Sequence, residues 1–210
     1  MTVPAAATAP SASTLPFPGV RAWPLWLLLW LPIQASAAQV LGVHVARHGS
    51  HFLIRMQFVI DALPPAVFRA LRDYTALPRY TPDLLAVLVD PTAQPDQVRL
   101  RLTIRACVLM FCKLMHPEQI ITATARADGG VLAAERVPDS ADFKRASGRW
   151  TVAACRTDRA RTCMNVRIEL EPAFWVPPLI GPWLIRRKLA EEGQRSSSGL
   201  EQLARALPSP

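Results

Sequence analysis

Three histidines stand close together as His44-x3-His48-x2-His51, and imidazoles at such spacing become metal ligands when the backbone brings them to one point. On a straight strand His44 and His48 share a face and His51 points away, unless Gly49 turns the chain. We read the segment as an exposed polar stretch and expect no metal. His116, followed by Pro117, has no evident partner. Asp139 and Asp142 lie around a Pro-Asp-Ser turn, where carboxylates cap or solvate. No serine sits in a nucleophile-elbow context and no phosphate loop is present. A ring-closing enzyme would need a positioned acid or base in a cavity. The sequence displays none, so it assigns no catalytic residue and no cofactor.

Cysteine chemistry is more informative. Cys107, Cys112, Cys155 and Cys163 allow three pairings. Cys155 ends one apolar-alternating stretch and Cys163 opens another, with Arg156 to Thr162 between them, so a hairpin would set the two thiols opposite each other. The expected bond is Cys155–Cys163. In a straight strand Cys107 and Cys112 would be about 16 Å apart, beyond the ~7 Å limit for a disulfide. Either they join across a turn, making Val108, Leu109, Met110 and Phe111 an apolar tip, or they lie along a buried strand as free or cross-paired thiols.

Disulfides imply an oxidising compartment, and the N-terminus supplies a matching address. Arg21 precedes an apolar run from Trp23 to Ile33, too short for the roughly 20 apolar residues of a membrane-spanning helix and interrupted by Pro24 and Pro32. Gln34-Ala35-Ser36-Ala37 follows, an Ala-x-Ala pattern suited to signal peptidase. The expected organisation is a signal peptide over 1–37, one domain over 38–207 and a tail over 208–210, in a periplasmic or secreted protein. The uncharged stretch before Arg21 is unusual for such a leader, and translation starting at the codon of Val20 would give a conventional one.

Half of the 210 residues are apolar, which excludes disorder for most of the chain. Lys and Arg outnumber Asp and Glu 24 to 16, a net charge of +8 that favours anionic partners. Nucleic acid would use such charges, but there is no RNP-type aromatic motif and the chain is expected to be exported. Arg186, Arg187 and Lys188 beside Trp183 suit a lipid–water boundary, as would the Val108–Phe111 tip, so peripheral contact with an anionic membrane is expected there. The oligomeric state is not legible.

The elements positioning these groups follow from periodicity. Residues from Val40 to Asp61 read as one long first strand, bent at Gly49. Asp61 to Tyr74 carries prolines at a helix start and apolar Val67, Phe68, Leu71 and Tyr74 at helical steps, and a second short helix spans Thr75 to Tyr80. Strands are expected at 84–90, 98–104, 118–125, 131–136, 143–155 and 163–170, joined by short turns in one antiparallel sheet. A long helix from Leu179 to Leu207 completes the chain. Its small residues Gly193, Ser196, Ser197, Ser198 and Gly199 either break it or leave room beside it.

Phe58-Val-Ile-Asp-Ala-Leu-Pro-Pro-Ala-Val-Phe68 and Leu71-Arg-Asp-Tyr-Thr-Ala-Leu-Pro-Arg-Tyr80 resemble the opening of polyketide cyclase/dehydrase-like and coenzyme Q-binding proteins of the START-like (SRPBCC) superfamily. Phe143–Trp150 and Phe174–Trp183 are similar to the segments before and at the start of the last helix in those proteins. The resemblance implies an α+β helix-grip fold: a curved antiparallel β-sheet wrapped around a long C-terminal helix, with two short helices after the first strand. It also implies an internal cavity for a hydrophobic small molecule such as a lipid, isoprenoid quinone or polyketide. Phe68, Leu71, Tyr74, Tyr80, Trp150, Trp183, Leu184, Leu189, Gly193 and Ser197 are the expected ligand-binding residues. Carriage or presentation without chemistry is the expected role, with a cyclase or dehydratase, or an envelope module with a filled core, as alternatives. The ribosome-acting branch of the superfamily conflicts with export.

Overall fold

The computed structural model describes residues 38–108, 111–137, 141–176 and 182–207. The expected signal peptide, the tail at 208–210, and Leu109 and Met110 lie outside them. The chain opens on a hairpin, β1 (Gln39–His48) and β2 (His51–Ile60), in which His48 faces His51. This corrects the single bent strand expected from sequence. Gly49 adopts a left-handed backbone (φ 61°) that reverses the chain within two residues instead of bending it. In β2 the alternating Phe52, Ile54, Met56, Phe58 and Ile60 are buried. Strict period two gives the strand one apolar face.

Two prolines open α1 (Pro64–Arg72), whose buried stripe includes Val67, Phe68 and Leu71. Asp73 then ends it and starts a 3₁₀ turn, Tyr74–Ala76, its carboxylate accepting from the Thr75 hydroxyl at 2.7 Å and the Ala76 N–H at 3.3 Å. The short α2 (Leu77–Tyr80) follows.

The remaining strands are β3 (Leu84–Pro91), β4 (Gln97–Val108), β5 (Phe111–Met115), β6 (Glu118–Arg126), β7 (Gly129–Arg136), β8 (Phe143–Ala154) and β9 (Thr162–Pro172). All pairings are antiparallel, in the order β1-β2-β9-β8-β7-β6-β4-β3, with β5 also on β4. Strand β5 is absent from the sequence expectations. It pairs with Ile104–Val108 of β4, whereas β6 pairs with Gln97–Arg101, so β5 and β6 divide one flank of β4 around His116 and Pro117.

The sheet closes on α3 (Pro182–Ala206), which runs unbroken through the small residues 196–199. A Cβ on Gly193 would lie 2.8 Å from Met56 Cε, and one on Gly199 would lie 2.4 Å from Tyr80 Cβ. The small residues therefore let α3 approach β2 and α2 closely. Both disulfides are formed, Cys155–Cys163 across the β8–β9 connection and Cys107–Cys112 across the β4–β5 turn. The result is an α+β helix-grip fold with two short helices between the opening hairpin and the rest of the sheet.

The outer face of the sheet carries much of the positive charge. Arg55, Arg167 and Arg149 stand directly opposite one another on β2, β9 and β8, with the imidazole-bearing His44 of β1 opposite Arg55, all exposed.

Candidate functional site

Between α3 and the inner face of the sheet lies a cavity of about 470 Å³. Inward strand positions form its walls: Met56 and Phe58 on β2, Leu100, Leu102 and Ile104 on β4, Met164, Val166 and Ile168 on β9. Leu71, Tyr74, Leu77 and Tyr80 cover one side, and Leu189, Gly193, Ser196, Ser197 and Leu200 of α3 cover another. Steps of three and four along the helix put these α3 residues on one stripe. Most of the surface is hydrocarbon, the usual lining of a small-molecule site.

Of the ten expected ligand-binding residues, the structure gathers seven around this cavity: Leu71, Tyr74, Tyr80, Trp150, Leu189, Gly193 and Ser197. Phe68, Trp183 and Leu184 stand elsewhere. Phe68 is buried, but its ring packs on Gly130 of β7. Trp183 is 64% exposed. At 3.6 residues per turn, position 184 points roughly 140° away from Leu189, which takes Leu184 off the stripe. The strand residues Met56, Phe58, Leu100, Leu102, Met164 and Val166 were missed as lining residues, although their period-two alternation marked them as inward.

Polar groups interrupt the apolar wall near the start of β3. Asp83 and Glu192 both line the cavity. Lys188 bridges them, with Nζ 2.7 Å from Glu192 Oε1 and 3.5 Å from Asp83 Oδ2. The hydrogen bond to Glu192, together with both carboxylates, holds the ammonium above the ordinary lysine range. Arg195 Nη1 also donates to Glu192 Oε1 at 2.9 Å, while the buried Oε2 has no hydrogen-bond partner. Tyr80, 7% exposed, likewise has a buried hydroxyl without a partner. Burial pushes its pKa well up, and the Asp73 carboxylate and Tyr74 add to the rise. Burial also raises Tyr74, opposed by the Arg72 guanidinium. Both phenols stay protonated at neutral pH.

The residues expected at a membrane fall into three groups. Val108 and Phe111 face each other at the end of the β4–β5 hairpin, on either side of the undescribed Leu109 and Met110. Arg186 and Arg187 are exposed on α3, Arg187 lying 3.1 Å from Glu191. Lys188, its side chain 32% exposed, reaches Asp83 and Glu192. Trp175 and Leu114, 76% and 52% exposed, were not among the expected contacts. They flank the stacking of Lys113 on Phe174, 4.5 Å from Nζ to the ring centre. Among the described residues no three His, Cys, Asp or Glu side chains cluster as a metal site, and no helix is long and apolar enough to cross a membrane.

This architecture is the START-like fold. The chain is similar to the ZhuI aromatase/cyclase of Streptomyces sp. R1128, with a TM-score of 0.57 and 12% identity over 74% of this chain and 94% of that one. It is similar to a STAR-related lipid transfer protein of Xanthomonas axonopodis, with a TM-score of 0.54 and 18% identity over 78% of this chain and 99% of that one. Human STARD10 gives a TM-score of 0.56 and 8% identity, over 80% and 74% of the two chains. No protein-family model matches the chain, and no curated protein matches it by sequence.

Proposed function

We propose that this chain binds a hydrophobic small molecule between α3 and its sheet and carries or presents it without changing it. The observation that supports this most directly is the cavity of about 470 Å³ with its largely hydrocarbon wall. Burying a ligand there removes apolar surface from water at roughly 25 cal/mol per Å², which is enough to hold a molecule with few polar contacts. One neighbour in fold is named as a lipid transfer protein, which fits a lipid-like ligand.

Carriage would take place outside the cytosol, following the expected signal peptide, and the two disulfides suit such a compartment. Trp183, Arg186 and Arg187 at the start of α3 would rest against an anionic membrane, joined by Trp175 and the β4–β5 hairpin. Exposed tryptophans beside cationic stems support that contact.

Native mass spectrometry of protein purified from its own host, followed by solvent extraction, tests binding. A hydrophobic adduct is expected. Repeated recovery of bare protein that also ignores added lipids and quinones would refute the reading.

The cyclase reading has one observation in its favour. Glu192 is an ionisable residue among those lining the cavity, and a general base must stand there. That reading predicts that Glu192→Gln abolishes turnover of a polyketide while leaving its binding intact.

A further inference from the structure

Beside the β1–β2 turn, a second hollow of about 430 Å³ lies between that turn and the segment that follows β9. Two cations line it, Arg47 and Lys144, and among the described residues no aspartate or glutamate does. Ser50 and the rings of Phe52, Phe174 and Trp175 complete the relevant walls. The larger cavity is of another kind, since its wall is mostly hydrocarbon and its ionisable carboxylates are Asp83 and Glu192.

The two cations keep capacity for an anion. Arg47 donates from Nε to the Gly49 carbonyl at 2.9 Å, and its guanidinium lies over the Phe52 ring, 5.3 Å from the centre. Both of its amino groups are left over, and among the described residues no carboxylate stands in ion-pair reach of it. Lys144, its side chain 63% exposed, is 3.8 Å from Glu171. That carboxylate is shared: it accepts from the Ser50 hydroxyl at 2.9 Å, lies 3.3 Å from His51 Nε2, and has Arg145 of β8 directly opposite it. One carboxylate among Arg47, Lys144 and Arg145 leaves two positive charges over. Trp175, 76% exposed, offers an amphipathic ring at the rim, which suits the level of lipid headgroups.

We infer that this hollow receives the phosphate of an anionic phospholipid headgroup, with Trp175 at the lipid–water boundary beside it. A guanidinium presents paired N–H donors that match phosphate oxygens, and an ammonium adds a point charge, so Arg47 and Lys144 supply both kinds of contact. The Phe52 ring beneath Arg47 holds the guanidinium in place. The inference rests on the membrane contact proposed above and deepens it: the contact is made through a site for the head, and not by net charge alone.

The test is sedimentation with phosphatidylcholine vesicles, with and without an equal part of phosphatidylglycerol. The native protein should bind the mixed vesicles far more tightly than the pure ones. Arg47→Gln combined with Lys144→Gln, checked for folding by circular dichroism, should weaken that binding at least about tenfold. Arg156→Gln combined with Arg159→Gln removes the same charge from the exposed β8–β9 loop, at the far end of the strands that carry Lys144 and Pro172. That pair lies beyond screening distance of the hollow and should change binding by less than about threefold. Equal losses from both pairs, or equal binding to both kinds of vesicle, would overturn the inference and leave the membrane contact standing. Glycerol 3-phosphate should compete poorly. If it binds the native protein as tightly as the mixed vesicles do, the site takes a soluble phosphate ester and the inference is overturned. If the native protein ignores both kinds of vesicle, the membrane contact falls as well. Should the double variant not fold, Lys144→Gln alone decides: a several-fold loss supports the site, and no loss overturns it.

Discussion

The two halves of α3 do different work. From Gly193 onward the helix is clamped: Gly193, Ser197, Leu200, Glu201 and Ala204 are buried, and Glu201 accepts the Asp61 N–H at 3.0 Å. Arg205 pairs with both Asp61 and Glu201. The first half, by contrast, has no buried residue, exposes Trp183, and reaches the sheet side through Leu189 at the cavity and Lys188, 3.5 Å from Asp83. Close packing against Met56, Phe58 and Tyr80 needs glycines and fixes the helix in place, while an ion pair beside the cavity can open. The clamped half anchors the helix on the sheet, and the first half meets the cavity through Leu189 and Glu192.

Four measurements would break or sharpen this contrast. Leu200→Ala should cost about 2–5 kcal/mol in urea unfolding, and Leu189→Ala, on the first half, clearly less. Equal losses would erase the distinction. Gly199→Ala comes next, at about 1–3 kcal/mol, because the added methyl meets the body of Tyr80. Gly193→Ala should cost less than Gly199→Ala, since the nearest atom is the mobile end of Met56 and the Phe58 ring lies farther off, at 3.2 Å.

The third measurement is stability against pH. Tyr80 and Lys188 both have folded pKa values raised above their unfolded ones. Their stabilising contribution is therefore complete below about pH 10 and lost as pH rises beyond it. Tyr80→Phe should flatten the alkaline limb measured by thermal melts from pH 8 to 11, and an unchanged limb would count against the burial argument. The smallest effect is expected for Trp183→Ala, within about 0.5 kcal/mol in stability. Its effect should show instead as weaker sedimentation with phosphatidylglycerol vesicles.

Much of this was legible in the residues. Leu189, Gly193 and Ser197 were expected to line a cavity from the last helix and do so, and the alternation on either side of Arg156–Thr162 was enough to place Cys155 opposite Cys163. What stayed hidden depends on contacts between distant segments. Gly49 supports either a bend or a reversal, and only pairing of β1 with β2 decides between them. Phe111–Met115 has no clear alternation and becomes a strand because Ile104–Val108 offers it a partner. Trp183 and Leu184 are apolar and lie in the helix, but hydrophobicity alone does not say which side of a helix meets a wall. The polar members of the site, Asp83 and Glu192, look like ordinary surface acids until the fold turns them inward.

One contact on the clamped half bears on how the chain is made. The Gln194 side chain donates to the Ala38 carbonyl and accepts from the Val40 N–H, joining residues 156 and 154 positions apart. The first strand is thus sealed by a residue of α3 that lies far from it in sequence. Native closure cannot proceed from one terminus to the other, and loop-closure entropy makes such a step slow. Until α3 packs, the apolar face of the sheet stays uncovered. A premature stop ahead of Gln194 would remove the final seal from an otherwise complete set of strands.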